Sequence, residues 1–270
     1  MQLGVNVPNF GPGTDPGVLR AWAMVVEGLG FDLLMVSDHV AVTADVAQRY
    51  PEPFYDPFTT LSWLAGHTDG LRLGTTVLVL PYRNPLLVAR MASSLHRLSG
   101  GRFVLGVGVG WARQEFDALG VPFGTRGRLT DEYLGTVREA WQEQGDGAAA
   151  PVWVGGHSDA AIRRAVEFGD AWHPLRLPVE RMRSVLASHT LPGFAPRTAL
   201  RLTDHPVDDP ERPAGVGDLE QVVGDLRELR ELGAEAVVLD PYHGDPEETR
   251  RPEAAWRALG AVVEEWRKAA

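Results

Sequence analysis

Short apolar runs rich in β-branched residues alternate along the chain with segments whose apolar positions recur every three to four residues. The runs at residues 3–7, 31–37, 71–80, 103–108, 152–155, 171–174, 199–203 and 236–239 predict strands. The segments at 16–29, 57–67, 85–98, 128–143, 159–168, 179–189, 219–232 and 252–268 predict helices. Eight strand–helix units predict an α/β fold, a single closed (β/α)8 TIM barrel spanning residues 1–270. An open doubly wound sheet is the competing architecture, but no Gly-x-Gly-x-x-Gly follows the first strand. Helix faces are legible too: Leu87, Met91, Leu95 and Leu98 form one stripe, and Trp256, Leu259, Val263 and Trp266 another. Pro57, Pro85 and Pro252 stand where first helical turns are expected. Long connections at 40–56 and 204–218 follow predicted strand ends; the first, with Tyr50, Phe54 and Tyr55, is a candidate lid.

The fourth predicted strand departs from the others. In Arg102-Phe-Val-Leu-Gly-Val-Gly-Val-Gly-Trp111, side chains alternate, so Phe103, Leu105, Val107 and Val109 share one face. Gly106, Gly108 and Gly110 share the other. Glycine weakens a strand, and a row of it marks close approach by a ligand or by another stretch of backbone. A planar ring beside Trp111 and tight packing in the barrel core both satisfy that pattern.

Composition narrows the function classes. A net charge of −10 argues against nucleic-acid or anionic-membrane partners, which need clustered Lys and Arg. The absence of cysteine excludes disulfides, thiol catalysis and Cys-ligated metals, and fits the cytoplasm. The start Met1-Gln-Leu-Gly-Val-Asn-Val-Pro8 reads as a strand rather than a secretion signal, and no apolar run is long enough to span a bilayer. No His spacing predicts a metal site, and no Gly-x-Ser-x-Gly elbow is present.

In such a barrel, strand C-termini converge on one mouth. Asp38 and His39 bring a carboxylate and an imidazole there, either for proton transfer or as a strand end closed by Asp38. Gly155-Gly-His-Ser158 precedes a helix start, where free N–H groups suit a phosphate; an ordinary capped turn has the same look. Arg113, Arg126 and Arg128 are candidates for an anionic tail or a substrate carboxylate.

These segments together resemble the bacterial-luciferase-like flavin family, especially its branch using the deazaflavin coenzyme F420. The resemblance runs through Leu73-Gly-Thr-Thr-Val-Leu-Val-Leu-Pro81, Asn84-Pro85 and Gly101–Gly110, supported by Ser37-Asp38-His39, Val154-Gly-Gly156 and Gly169-Asp-Ala-Trp172. It implies a barrel with the flavin ring in its mouth, Asp38 and His39 beside the ring, and a non-proline cis peptide at Thr76–Val77 behind it. It implies Gly108, Gly110 and Trp111 along the ring, phosphate at Gly155, Gly156, His157 and Ser158, and a homodimer. A sugar-phosphate dehydrogenase of that family carries a catalytic Glu where this chain has Trp111, so that chemistry is not expected. The resulting expectation is an F420-dependent oxidoreductase acting on a small organic substrate, with His39 and Asp38 as proton-handling groups. An FMN-dependent monooxygenase using O2, a non-catalytic flavin-binding protein and a flavin-free enzyme of phosphorylated metabolites are its rivals.

Overall fold

The computed structural model describes residues 1–145 and 147–268. In chain order its strands are β1 (Gln2–Asn6), β2 (Leu33–Val36), β3 (Arg72–Thr75), β4 (Leu78–Val79), β5 (Phe103–Gly108), β6 (Val152–Gly155), β7 (Ala171–His173), β8 (Arg197–Ala199), β9 (Arg201–Leu202), β10 (Val216–Gly217) and β11 (Ala236–Asp240). The helices are α1 (Pro16–Gly28), α2 (Ala44–Ala47), α3 (Pro57–Ala65), α4 (Pro85–Leu98), α5 (Arg113–Ala118), α6 (Arg126–Gln144), α7 (Asp159–Phe168), α8 (Val179–Ser188), α9 (Leu219–Glu231) and α10 (Pro252–Lys268).

The parallel order β7-β6-β5-β3-β2-β1-β11-β8 leaves two edges. They meet through Ala195 N–H to Trp172 O (2.9 Å), Arg197 N–H to Pro174 O (2.8 Å) and Arg176 N–H to Arg197 O (2.8 Å). The sheet is thereby an eight-membered barrel, a closure that removes exposed edges. Helix starts carry the caps that free N–H groups require. Asp15 accepts from Val18 N at 2.8 Å, Asp56 from Thr59 N at 2.9 Å and Asn84 from Leu86 N at 2.9 Å, each followed by Pro at the first helical position.

Strand alternation sorts the core into two layers. Leu3, Val5, Phe103, Leu105 and Val107 point outward into the large layer under the helices. Leu33, Met35, Val104, Trp153, Ala171, Ala195, Ala236 and Val238 fill the lumen. At the next inward positions, two residues on from Ala171, Ala195 and Val238, the lumen turns polar at His173, Arg197 and Asp240, joined by Asn6 and Thr76. These form the floor of the mouth.

Three sequence expectations are corrected. The predicted strand at 71–80 is broken: β3 and β4 flank a cis Thr76–Val77 peptide. The predicted strand at 199–203 is shifted, because the barrel strand is 197–199. Arg201–Leu202 instead pairs with Val216–Gly217 in a separate two-stranded ribbon within the 204–218 connection's reach. On α4 the buried face is Val88, Ala89, Ala92, Ser93 and Leu95, while Leu87 and Leu98 are exposed. Small residues let that helix lie close to its neighbours, so size rather than hydrophobicity chose the face.

Gly135 lies within α6 with nothing near the position a Cβ would take. Gly135→Ala is expected to stabilise the chain by about 0.5–1 kcal/mol, through helix propensity alone, in urea unfolding.

Candidate active site

The glycine face of β5 points into the lumen, and the protein itself occupies what it clears. A Cβ on Gly106 would stand 1.9 Å from the Thr75 carbonyl oxygen. One on Gly108 would meet Val77 Cγ2 at 2.5 Å, and one on Gly155 would meet Val77 Cγ1 at 2.9 Å. The break between β3 and β4 thus drives Val77 into a seat made by Gly108 and Gly155. Val77 remains partly exposed, so a convex wall faces the mouth. Gly110 (φ 78°) clears Val79 and Phe116 in the same way.

At the end of β2, Asp38 and His39 take separate partners. Arg83 grips Asp38 through two bonds of 2.7 and 2.8 Å, and Val79 N–H adds a third at 2.9 Å. Burial pushes the Asp38 carboxyl up, against the pull of Arg83. With both oxygens engaged, Asp38 anchors the end of β4, two residues past Val77.

His39 is bound to Glu115, 76 residues away. Its Nδ1 lies 2.6 Å from Glu115 Oε2. The same carboxylate accepts from Val40 N (2.6 Å), Ala41 N (3.0 Å) and the Tyr82 hydroxyl (2.9 Å). Burial alone would raise the Glu115 pKa, but these bonds, His39 first, hold it below the ordinary range. Burial and the Glu115 charge push the Tyr82 hydroxyl up, so it stays a donor. An ionised Glu115 offers only acceptors, so Nδ1 carries a proton and Nε2 is left to exchange one. Among the described residues Nε2 has no hydrogen-bond partner. The 40–56 connection packs over this imidazole. Tyr50 stacks on His39 with centroids 5.3 Å apart, and Phe54 and Trp111 meet it edge-on at 5.4 and 5.8 Å. Trp111 is itself half exposed.

The floor holds a second polar network. Arg197 donates to Thr76 O at 2.5 Å and to Asp240 Oδ2 at 2.8 Å, so it spans the lumen from β8 to the cis peptide. Asn6 and Arg176 also bind Asp240, at 3.1 and 2.6 Å. The two guanidiniums hold the buried Asp240 carboxyl below its usual range despite its burial. His173 Nδ1 donates to Ala195 O, so its Nε2 accepts from the Thr76 hydroxyl at 2.8 Å. Burial lowers its pKa to about 4 and keeps it neutral. A His with a depressed folded pKa contributes full stability above its unfolded value near 6.5 and loses it as pH falls toward 4. Urea midpoints should drop between pH 6.5 and 4, by roughly 3 kcal/mol in unfolding free energy from this group. His173→Asn should flatten that part of the profile.

The anion-binding candidates cluster at the starts of α6 and α7. Gly156 has φ 111°, and its carbonyl accepts from Trp172 Nε1 at 2.7 Å, which fixes the turn. Ser158 caps α7, and it and His157 are exposed. Arg164 of α7 donates to Gly127 O at 3.1 Å, tying α7 to the first turn of α6. Arg126 and Arg113 lie over the Phe123 ring, 3.8 and 4.3 Å from its centroid. Neither has a carboxylate partner among the described residues, and Arg126 Nε is buried without any partner. Arg128 sits apart, exposed and paired with Glu132. Arg126 also donates to the Phe123 carbonyl at 3.0 Å, so a partly exposed apolar wall, a partner-free imidazole nitrogen and two arginines without a carboxylate are the features here that fit a planar, anionic redox cofactor. No group of three or more metal-ligating side chains occurs among the described residues.

Sequence reasoning missed three partners of this site. In the sequence Glu115 is one of several charged residues following the glycine strand, with nothing to mark it as the partner of His39, and Arg83 and Arg197 have no motif around them. Only the fold brings them to Asp38, His39 and Thr76.

Comparison with known proteins identifies the family and the fold. The family model described as luciferase-like monooxygenase matches residues 1–190. A phthiodiolone/phenolphthiodiolone dimycocerosates ketoreductase of Mycobacterium tuberculosis is 27% identical over 231 residues, 76% of this chain and 57% of that protein. The chain spans about three-fifths of the length of the curated relatives it matches. Among solved structures, the coenzyme F420-dependent tetrahydromethanopterin reductase of Methanopyrus kandleri superposes with a TM-score of 0.73. The identity is 16%, with 99% of each chain covered. The oxygenating constituent of 3,6-diketocamphane monooxygenase from Pseudomonas putida, bound to FMN, gives 0.70 at 15% identity, covering 98% and 97%. By its barrel and by that match over most of its length, the chain belongs to the luciferase-like monooxygenase family.

Proposed function

We propose that this protein is an oxidoreductase that binds the deazaflavin F420 at the barrel mouth and moves hydride between it and a small organic substrate. The observation that carries the reading is the Glu115–His39 pair beside the Val77 wall. An imidazole fixed at Nδ1 and free at Nε2 can give the proton that hydride addition to a carbonyl needs, or take the one released when hydride leaves an alcohol. The bound deazaflavin supplies hydride chemistry, and the chain's residues orient, shield and protonate. Thr76 and Val77, with Gly108 and Gly155 behind them, back the ring. Gly156, Ser158, Arg126 and Arg113 hold the anionic part, and Tyr50 and Trp111 keep water from His39. Asp38 anchors the wall.

The FMN-bound neighbour and the family's description support a second reading, a monooxygenase using reduced FMN and O2. Anaerobic oxidation of reduced deazaflavin by a carbonyl panel separates the two. The first reading predicts turnover without O2, cut at least about 100-fold by His39→Ala. Product formation only with reduced FMN and O2 would replace it. Full turnover of His39→Ala across pH would remove His39 from the chemistry.

A further inference from the structure

Opposite the β5 wall, three polar side chains meet on one carboxylate and leave three polar atoms without a hydrogen-bond partner. Asp240 Oδ2 takes Arg176 and Arg197, and Oδ1 takes Asn6 Nδ2. Two cations share one anion. Arg176 holds a left-handed backbone (φ 51°), the one such non-glycine residue among those described. A single nitrogen, Nη2, makes both of its side-chain bonds, to Asp240 and to Tyr242 O. Its Nε is buried without a partner, and Nη1 has none among the described residues. Asn6, 1% exposed, has its Oδ1 buried and unpartnered as well. Its amide orientation is settled chemically, since only the NH2 end can face an ionised carboxylate.

Buried polar groups are nearly always met, and each one left unmet is costly. Here a donor edge and an acceptor lie on either oxygen of Asp240. An anionic oxygen would satisfy Arg176 Nε or Nη1, and an adjacent hydroxyl would satisfy Asn6 Oδ1. The rings of Phe10, Tyr50 and Tyr242 meet edge-on or tilted nearby, on the side of Tyr242 whose carbonyl binds Arg176, and would bury an apolar body. We infer that Asn6, Arg176 and Asp240 form a substrate-recognition subsite for a carboxylate carrying a neighbouring hydroxyl. The inference rests on the oxidoreductase reading above and names the substrate class of the same mouth.

Matched probes test it by binding rather than turnover. Saturation-transfer NMR titrations of the full chain, with and without the deazaflavin, would use 2-hydroxy-3-phenylpropanoate, 3-phenylpropanoate and methyl 3-phenylpropanoate. The expected affinity order is hydroxy acid, acid, ester. Arg176→Gln should weaken both acids about tenfold and leave the ester unchanged. Arg176→Lys should retain part of the preference for acids, and Asn6→Ser should erase that for the hydroxyl. An ester bound as well as the acid by the unaltered protein would overturn the subsite, even if Arg176→Gln failed to fold. So would acid affinity unmoved by Arg176→Gln. Deazaflavin binding without acid preference would sink this inference alone. Acid preference without deazaflavin binding would sink the cofactor reading and leave the subsite standing.

Discussion

Glu115→Ala is expected to cost roughly 3–5 kcal/mol of unfolding free energy, the usual penalty for breaking a buried charged pair. Glu115 is fully buried, and its removal strands four donors: His39 Nδ1, the Val40 and Ala41 amides and the Tyr82 hydroxyl. Glu115→Gln keeps the shape but turns an amide NH2 toward donors, so it should cost about 1–3 kcal/mol. The pH dependence has a definite sign. The folded carboxyl has a depressed pKa, so its contribution is present above the unfolded value near 4.5. It is lost as pH falls through the lower folded value. Both variants should lose that acid dependence. Urea unfolding at pH 7 and pH 4 checks the set; a loss below 1 kcal/mol at pH 7 for the alanine variant would contradict the pairing. Turnover should fall with either variant, because His39 loses the partner that sets its tautomer.

Gly106→Ala should destabilise by about 3 kcal/mol or more, beyond the common range for overpacking. The new methyl would stand 1.9 Å from the Thr75 carbonyl oxygen, an atom of backbone that cannot swing aside as a side chain does. β3 and β5 would have to part where they support the Thr76–Val77 peptide. Cofactor affinity should therefore fall along with stability, even though Gly106 lies behind the wall. Thermal unfolding beside Gly135→Ala, whose methyl meets nothing, separates steric conflict from any general effect of alanine. A Gly106→Ala protein as stable as the parent would refute the packing.

The layered barrel was legible because alternation on strands and Pro- or Asp-marked helix starts are local signals. The β5 glycines were legible as one face cleared for a ligand or for another stretch of backbone, but which of the two fills it was not. The Thr75 carbonyl and Val77 reach them from another strand, and no spacing within β5 encodes that. The pairing of His39 with Glu115 is likewise long-range, and Arg197 reaches Thr76 across the lumen. The strand expected at 199–203 shows another limit. Arg197–Leu202 is one polar–apolar stretch in sequence, and only a second partner, Val216–Gly217, divides it between barrel and ribbon. On α4, Leu87 and Leu98 carried the apolar pattern, whereas close packing selected Ala89 and Ala92.

The most direct measurement is a binding titration of purified ligand-free protein with F420 and, separately, with FMN, repeated on Val77→Gly and Arg126→Gln. The account predicts selective deazaflavin binding at micromolar concentration or tighter, weakened by each substitution without loss of folding. Binding of neither cofactor, or binding indifferent to both substitutions, would contradict the central claim that the Val77 wall and the Arg126 cradle form a deazaflavin site.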